Sequence, residues 1–349
     1  MKPSSKAKGQ RTTLGLCILL LLFSGAGAYT VFTILNEAKK AAFLADAIVP
    51  QAELSGSMLS ALNKAQLANR TYATTLQQSY KEQGLNHLKT FDEYLAKAVD
   101  HSAVHPNLTV LKEILPNIKK AREDYGAQVR ATDDNLIRRN QIIDQLNTNA
   151  PITLTALNNL TADQDRKMRK EISAGLAAER LEERRQKALM ANELLVKINS
   201  IREISYKSQS QLKPELLGTT APLFNEMDLI MQKLRPMLRD PVNLQQLDVV
   251  AQKIALYKEG VVELAQNLTA SQAINQSRVA AGVELDSLLN RLDEKASERT
   301  FQYSNSSRSG LSLAAKLLIG ALVILICGGL AATYFIIRSV NQSLKDKAV

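Results

Sequence analysis

The chain has 349 residues, a formal net charge of +10, 15 Gly, 9 Pro and no Trp. That length holds one large domain or two moderate ones, and the scarcity of turn formers amid Ala, Leu, Gln, Asn, Lys and Glu predicts helix throughout. Both cysteines, Cys17 and Cys327, fall in apolar runs, which excludes a disulfide framework and a cysteine-built zinc site. No phosphate-binding glycine loop, nucleophile elbow or metal motif occurs, so the expectation is a protein that is not an enzyme and uses no cofactor.

Residues 1–13 carry Lys2, Lys6, Lys8 and Arg11 and precede "LGLCILLLLFSGAGAYTVFTIL", residues 14–35, which lack any charge. A run of that length crosses a hydrocarbon core of about 30 Å as a helix. The same start can be read as a cleavable secretory signal ending near Ala28. Continued apolar character through Val31, Phe32, Ile34 and Leu35 favours an uncleaved anchor. A second run, "LLIGALVILICGGLAATYFII" at 317–337, is followed by Arg338, Lys345 and Lys347. Basic residues beyond both runs place both termini in the cytoplasm and residues 36–310 outside, in the periplasm of a Gram-negative host. Four positive charges lie in 1–13 and a net two in 338–349, which leaves a modest +4 for the remainder. The cytoplasmic share fits an anionic membrane surface and gives no reason to expect nucleic acid.

Between the runs, apolar residues recur at three and four, as in Met58, Leu62, Ala65 and in Leu108, Leu111, Leu115, Ile118, and no alternating strand pattern intervenes. Pro50 is placed to kink the first helix. Breaks are expected after Gly84, at "HPN" (105–107), at "NAPITL" (149–154), at "KPELLGTTAP" (213–222) and at "RDPVN" (239–243), with Thr161 and Asp163 as helix caps. These give about six helices. His87, His101 and His105 have no acidic or Cys cluster around them and read as surface residues near a turn. The alternating charges of "DRKMRKEISAGLAAERLEERRQK" (165–187) read as a solvated helix face.

The sequence also repeats. "LNKAQLANR" (62–70) aligns with "LLVKINSIR" (194–202), "FDEY" (91–94) with "FNEM" (224–227), and "NLTVLKEILPNI" (107–118) with "NLQQLDVVAQKI" (243–254). Two similar helical modules, about 50–149 and 161–300, are the expected product. Arg70 and Arg202 occupy the same place in each copy. On a helical wheel Arg70 falls between Leu59 and Leu67, and Arg202 between Leu195 and Tyr206, at the edge of an apolar arc. An arginine turned toward a bundle interior needs an anion, and its planar fork suits a carboxylate. Either a small acid ligand binds there, or an internal acid such as Glu93 or Glu226 pairs with it, or the side chain snorkels out to solvent. Asn69, Thr71, Tyr72, Ser205 and Tyr206 are the polar neighbours that would complete such pockets, with Tyr125, Tyr257 and Lys258 as further candidates from the third helix of each copy.

Two anchors around a duplicated helical region, ending in "IIRSVNQSL", resemble a bacterial methyl-accepting chemotaxis receptor with a helical bimodular sensor domain. That resemblance implies an all-α fold of two stacked four-helix bundles from about six helices, flanked by two transmembrane helices. It further implies a dimer in the inner membrane whose periplasmic region senses a small organic acid for chemotaxis. A related branch of the family serves sensor histidine kinases. A membrane protein that uses its helices to hold a partner protein is the alternative from another class. Acid-binding members of the family often place two arginines on the first helix, whereas Arg70 has Leu67 one turn before it and Thr74 one turn after. Residues 338–349 are similar to the start of a HAMP linker, with Arg338 and Leu344 in place and Ser343 where that linker usually has proline. On that reading the chain stops early and its output module is missing or supplied by a partner.

Overall fold

The computed structural model describes residues 5–345 except Leu176, and every extended element among them is helical. Lys2 and Lys347, counted above in the flanking charge, lie outside the described residues. In chain order the elements are α1 (Ser5–Phe43), a π turn (Leu44–Ile48), α2 (Val49–Thr75), α3 (Gln78–Val104), α4 (Thr109–Ser173), α5 (Ala178–Gln211), the single turn α6 (Glu215–Gly218), α7 (Ala221–Leu234), a 3-10 turn (Arg235–Met237) and α8 (Pro241–Lys345). Apart from α1 and the single turn α6, this is the six-helix set that the periodicity predicts.

The π turn sits where Pro50 was expected to disturb the helix. Proline lacks the N–H that would bond four residues back, so the ladder changes register there rather than breaking. The Ala47 carbonyl is met from the side by His101 Nε2 at 2.8 Å. A carbonyl only accepts, so that ring nitrogen carries the proton. His101 is therefore a half-buried structural ligand of the backbone and not the surface residue anticipated for it.

Breaks at 105–107, 213–220 and 238–240 fall where the turn chemistry placed them. Asp240 accepts from the Val242 N–H at 2.9 Å and Pro241 opens α8, which is the usual side-chain cap with proline in the first position. Other expectations need correction. Gly84 is buried inside α3, and the chain breaks earlier, at Leu76, whose φ is +60°. Pro151 and its neighbours do not end a helix, because α4 runs unbroken for 65 residues. Thr161 and Asp163 are interior to α4 rather than caps. The charged stretch 165–187 is interrupted at Gly175, whose φ of +69° is left-handed backbone that glycine adopts without strain. It is not uniformly solvated either: Lys187 is buried and paired with Glu183, and Arg184 reaches back across the turn to Glu171 at 3.1 Å.

The chain forms two compact units. Among the described residues one comprises 5–68, 82–120 and 285–345; the other comprises 69–81 and 121–284. In the first, Met58, Leu62, Phe91, Leu111, Ile118 and Leu289 are buried, drawn from α2, α3, α4 and α8. In the second, Leu157, Leu194, Phe224, Met227, Val250 and Leu264 belong to one core built from α4, α5, α7 and α8. Each unit is therefore closed by four helical segments. The repeat explains the pairing of anchors: Leu62 with Leu194, and Phe91 with Phe224, are aligned in sequence and each is essentially inaccessible in its own unit. Full burial of one such Phe contributes about 2–3 kcal/mol.

Apolar side chains of α1, among them Leu21, Val31, Phe32 and Leu35, are exposed, as are Ile319, Leu322, Leu330 and Ile336 of α8. Among the described residues one helix, α8, carries a stretch long and apolar enough to cross a membrane, and it is almost wholly uncovered by the rest of the chain.

Candidate functional site

The notable polar cluster of the second unit gathers around Tyr125 on α4. Its ring is buried, and Asn69 Nδ2 on α2, itself buried, donates to the phenol oxygen at 3.4 Å. The Tyr125 proton is left to donate elsewhere. Burial pushes the phenol up, opposed by the Asn69 bond and by three guanidinium groups, Arg278, Arg122 and Arg70 in order of strength. Three helices thus bring three cations to one hydroxyl.

Arg278 on α8 is the decisive member. Only 8% of it is exposed, yet its hydrogen bonds go to neutral acceptors, Asn275 Oδ1 at 2.8 Å and Thr132 Oγ1 at 3.5 Å. Burial holds it below the usual guanidinium range; Tyr125 works against that shift and Arg70 adds to it. Among the described residues no carboxylate acts on it. A buried cation without a counter-anion is costly, and a bidentate anion is the natural partner of its fork. Gly126 makes room for a second guanidinium, since a Cβ there would lie 2.7 Å from Arg122 Nη1.

The residues expected from the sequence are distributed unevenly around this cluster. Asn69 is within it. Arg70 contributes its field but is itself exposed, because Leu67, taken as the edge of the apolar arc, is 65% exposed and that edge faces solvent. Tyr72 turns to Asp133, donating to Oδ1 at 2.7 Å, while Lys81 holds the other oxygen at 2.8 Å. Burial and the Asp133 carboxylate together push Tyr72 up to about 12. Thr71 lies in the last turn of α2, where its carbonyl accepts from the hydroxyls of Thr74 and Thr75.

In the second copy, Tyr257 on α8 is buried and pushed up to about 12 by that burial, opposed by the Ser205 hydroxyl and the Arg202 guanidinium. Ser205 is buried and bonds to Ile201 O at 2.8 Å. Tyr206 is exposed and donates to Asn147 at 3.3 Å. Lys258 lies 4.0 Å from Asp228 and over the Phe224 ring. The internal ion pair considered for Arg202 is not formed: Glu226 pairs with Lys197, and Arg202 bonds to Asn199 at 3.3 Å.

Sequence reasoning missed Arg278, and a signal for it exists. Arg70 and Arg202, Tyr125 and Tyr257 are each 132 residues apart, and so are Asn135 and Asn267, whose amides donate to one another's backbone carbonyls at 3.2 and 3.0 Å. At that same separation the counterpart of Arg278 is Leu146, a buried core residue. Leu146 packs at Gly260, one turn beyond Tyr257, where a Cβ would lie 2.9 Å from its Cδ2. One copy of the arrangement thus has a buried cation where the other has an apolar side chain.

No protein-family model matches the chain, and no curated protein matches its sequence. Among solved structures, the chain is similar to the sensor domain of TorS, crystallised in complex with TorT in the presence of TMAO, with a TM-score of 0.43 and 11% identity over 72% of this chain and 98% of that one.

Proposed function

We propose that this protein is a membrane-anchored receptor that binds one small anion, a carboxylate by preference, in the Arg278–Tyr125 cluster and passes the event along α8. The observation that carries this reading is a buried guanidinium held in place by neutral groups and facing no acid among the described residues. Such an arrangement sacrifices stability in the empty protein and recovers it when an anion arrives. Tyr125 would donate to the same ligand and Arg70 would guide it in from solvent. The Tyr257 cluster lacks the corresponding cation, so the reading is one ligand per chain.

The exposed apolar stretches of α1 and α8 would anchor the protein twice in the inner membrane, with the two helical units in the periplasm. Since α8 is continuous from the Arg278 turn to its apolar stretch, a small axial shift or rotation on binding would reach the membrane directly. The output we assign is that of a homodimeric chemotaxis receptor, on the strength of the architecture and the two anchors; no catalytic step is part of it.

Calorimetry on the full chain in detergent, against a panel of small mono- and dicarboxylates and inorganic anions, tests the reading. At least one anion should bind with a stoichiometry near one per chain, and Arg278→Met should weaken it by about tenfold or more, the loss of one charged hydrogen bond or a bidentate pair. Arg202→Ala should leave it unchanged. Binding that survives Arg278→Met, or no heat and no thermal stabilisation with any anion, would overturn it.

A further inference from the structure

Asn135 on α4 and Asn267 on α8 occupy the same place in the two copies of the repeat, and they meet each other. Each side-chain amide donates to the other residue's backbone carbonyl, at 3.2 and 3.0 Å. Those carbonyls stand inside helices and already accept from the N–H one turn on, so each amide takes a second lone pair. Asn267 is 7% exposed, and the Oδ1 atoms of both residues are buried and accept from no group among the described residues. Two unsatisfied amide oxygens lower stability relative to an apolar pair of the same shape. Stability is therefore not what the pair provides.

Its place along the helices is more telling. Tyr125 lies 10 residues before Asn135, and Arg278 lies 11 after Asn267. Here α4 and α8 run antiparallel, with Thr132 against Arg278, Asn135 against Asn267 and Arg138 against Glu263. A residue some distance before the pair on α4 thus faces one at a similar distance after it on α8, which brings Tyr125 opposite Arg278. On the other side of the pair the same count brings Tyr257, 10 before Asn267, opposite Leu146, 11 after Asn135. Register at the pair therefore decides which α8 side chain reaches Tyr125. A slip of one turn would bring Ile274 or Gly282 there, and neither carries a charge.

Other links along this seam fix it less closely. Arg138 and Glu263 pair in reach of solvent, where an ion pair holds little. Leu146 against Gly260 is apolar packing without direction. Gln164 and Asn243 form a buried bond between the same helices at 2.6 Å, but Asn243 is 35 residues from Arg278. That is about 52 Å of helix, a length over which helices bend. Asn267 is 11 residues away, about 16 Å. The margin at the site is small, because Arg278 Nη1 already stands 3.5 Å from Thr132 Oγ1. An axial drift of about 1.5 Å, the rise of one residue, breaks that bond. We infer that Asn135 and Asn267 are positioning residues for the Arg278–Tyr125 site: their reciprocal bonds set the α4–α8 register at which guanidinium and phenol converge on one anion. A buried polar side chain sets register between coiled helices in the same way. The role deepens the anion reading of that cluster and rests on it.

The test titrates the full chain in detergent with acetate, succinate and inorganic phosphate, and carries whichever binds wild type through the variants. Asn135→Leu combined with Asn267→Leu keeps the branching of both side chains and removes their bonds. It should weaken binding by about tenfold, as if one Arg278 bond were lost, while the thermal midpoint stays at or above that of wild type. Asn135→Ala with Asn267→Ala, which leaves room to spare, should show the same loss of affinity. Nitroxide labels on Gln145→Cys of α4 and Val283→Cys of α8, both exposed, report the register without any anion, in a chain carrying Cys17→Ala and Cys327→Ala. Pulsed electron resonance should give one narrow distance distribution with both asparagines present, and a broader or displaced one with the Leu pair. Unchanged affinity in the Leu pair, with Arg278→Met still weakened, sinks the positioning role alone. So does lost affinity with an unchanged distance distribution, or with a lower midpoint in both the Leu and Ala pairs, since loosened packing would account for it. Wild type that binds none of the three anions sinks the anion reading, and the positioning role with it.

Discussion

At the scale of single residues, Arg278 sets the trade between stability and binding. Replacing it with Met keeps much of its volume and removes a buried charge that lacks a counter-anion. The ligand-free variant should therefore be more stable than wild type by about 1–2 kcal/mol, read as a higher denaturant midpoint. A fall in stability would mean that the bonds to Asn275 and Thr132 matter more than the buried charge. Asp133 offers a pH-dependent counterpart. Burial alone would raise its carboxyl, but the Lys81 ammonium and the Tyr72 hydroxyl outweigh that and hold it below its ordinary value of 3.8. A depressed folded pKa gives stability that is present above the unfolded value and lost as pH falls through the folded one. Both partners keep some solvent exposure, so wild type should exceed Asp133→Asn by no more than about 1 kcal/mol near neutral pH. Urea unfolding repeated below the folded pKa should show that difference gone. These clusters were only partly legible beforehand. Asn69 was legible as a polar neighbour of Arg70 and Tyr125 as a candidate from the third helix, but which of Arg70, Arg122 and Arg278 would be buried depends on how three helices rotate against one another. A wheel drawn for one helix cannot supply that, and it placed Leu67 on the wrong side.

At the scale of elements, most helix limits follow from proline, glycine and capping chemistry, and the errors share a cause. Pro151 and Gly84 were read as stops because each weakens an isolated helix, yet packing against neighbouring segments keeps α4 and α3 continuous through them. The end of α5 shows the opposite case. Leu212 stands there in left-handed backbone, φ +53°, while the Lys213 N–H closes onto Ser208 O at 3.0 Å. This is the turn in which glycine normally ends a helix, and a side chain costs about 1 kcal/mol in that conformation. Leu212 is 47% exposed and gives up little packing, so Leu212→Gly should stabilise the protein by about 0.5–1 kcal/mol. Thermal unfolding followed by circular dichroism would show it, and an unchanged or lower midpoint would mean that Leu212 contributes contacts worth more than the strain.

At the scale of the molecule, duplication is what the sequence shows best and what it hides best. Aligned apolar residues reach the cores of both units, so composition and repeat together imply an all-α chain with two packed centres. The duplicated polar residues do not divide so simply, because Arg70, Tyr125, Arg202 and Tyr257 all fall in one unit. Membrane placement is checked by the two native cysteines. Cys17 and Cys327 are exposed on the apolar stretches of α1 and α8. In intact membranes both should resist a membrane-impermeant maleimide and react once detergent is added, whereas Ser210→Cys, on exposed α5, should react from the periplasmic side. Labelling of Cys327 from the aqueous phase would contradict the proposed anchoring.

The π turn before Pro50 gives the two apolar helices different mechanics. From Pro241 onward α8 runs with no change of hydrogen-bond register, so it has no such joint between the Arg278 turn and its apolar stretch. The α1–α2 path has a joint at Leu44–Ile48, where the ladder can give by a fraction of a turn. If α8 carries the signal, this joint would let α1 stay behind as α8 shifts, and the His101 contact to the Ala47 carbonyl would bear on how readily it gives.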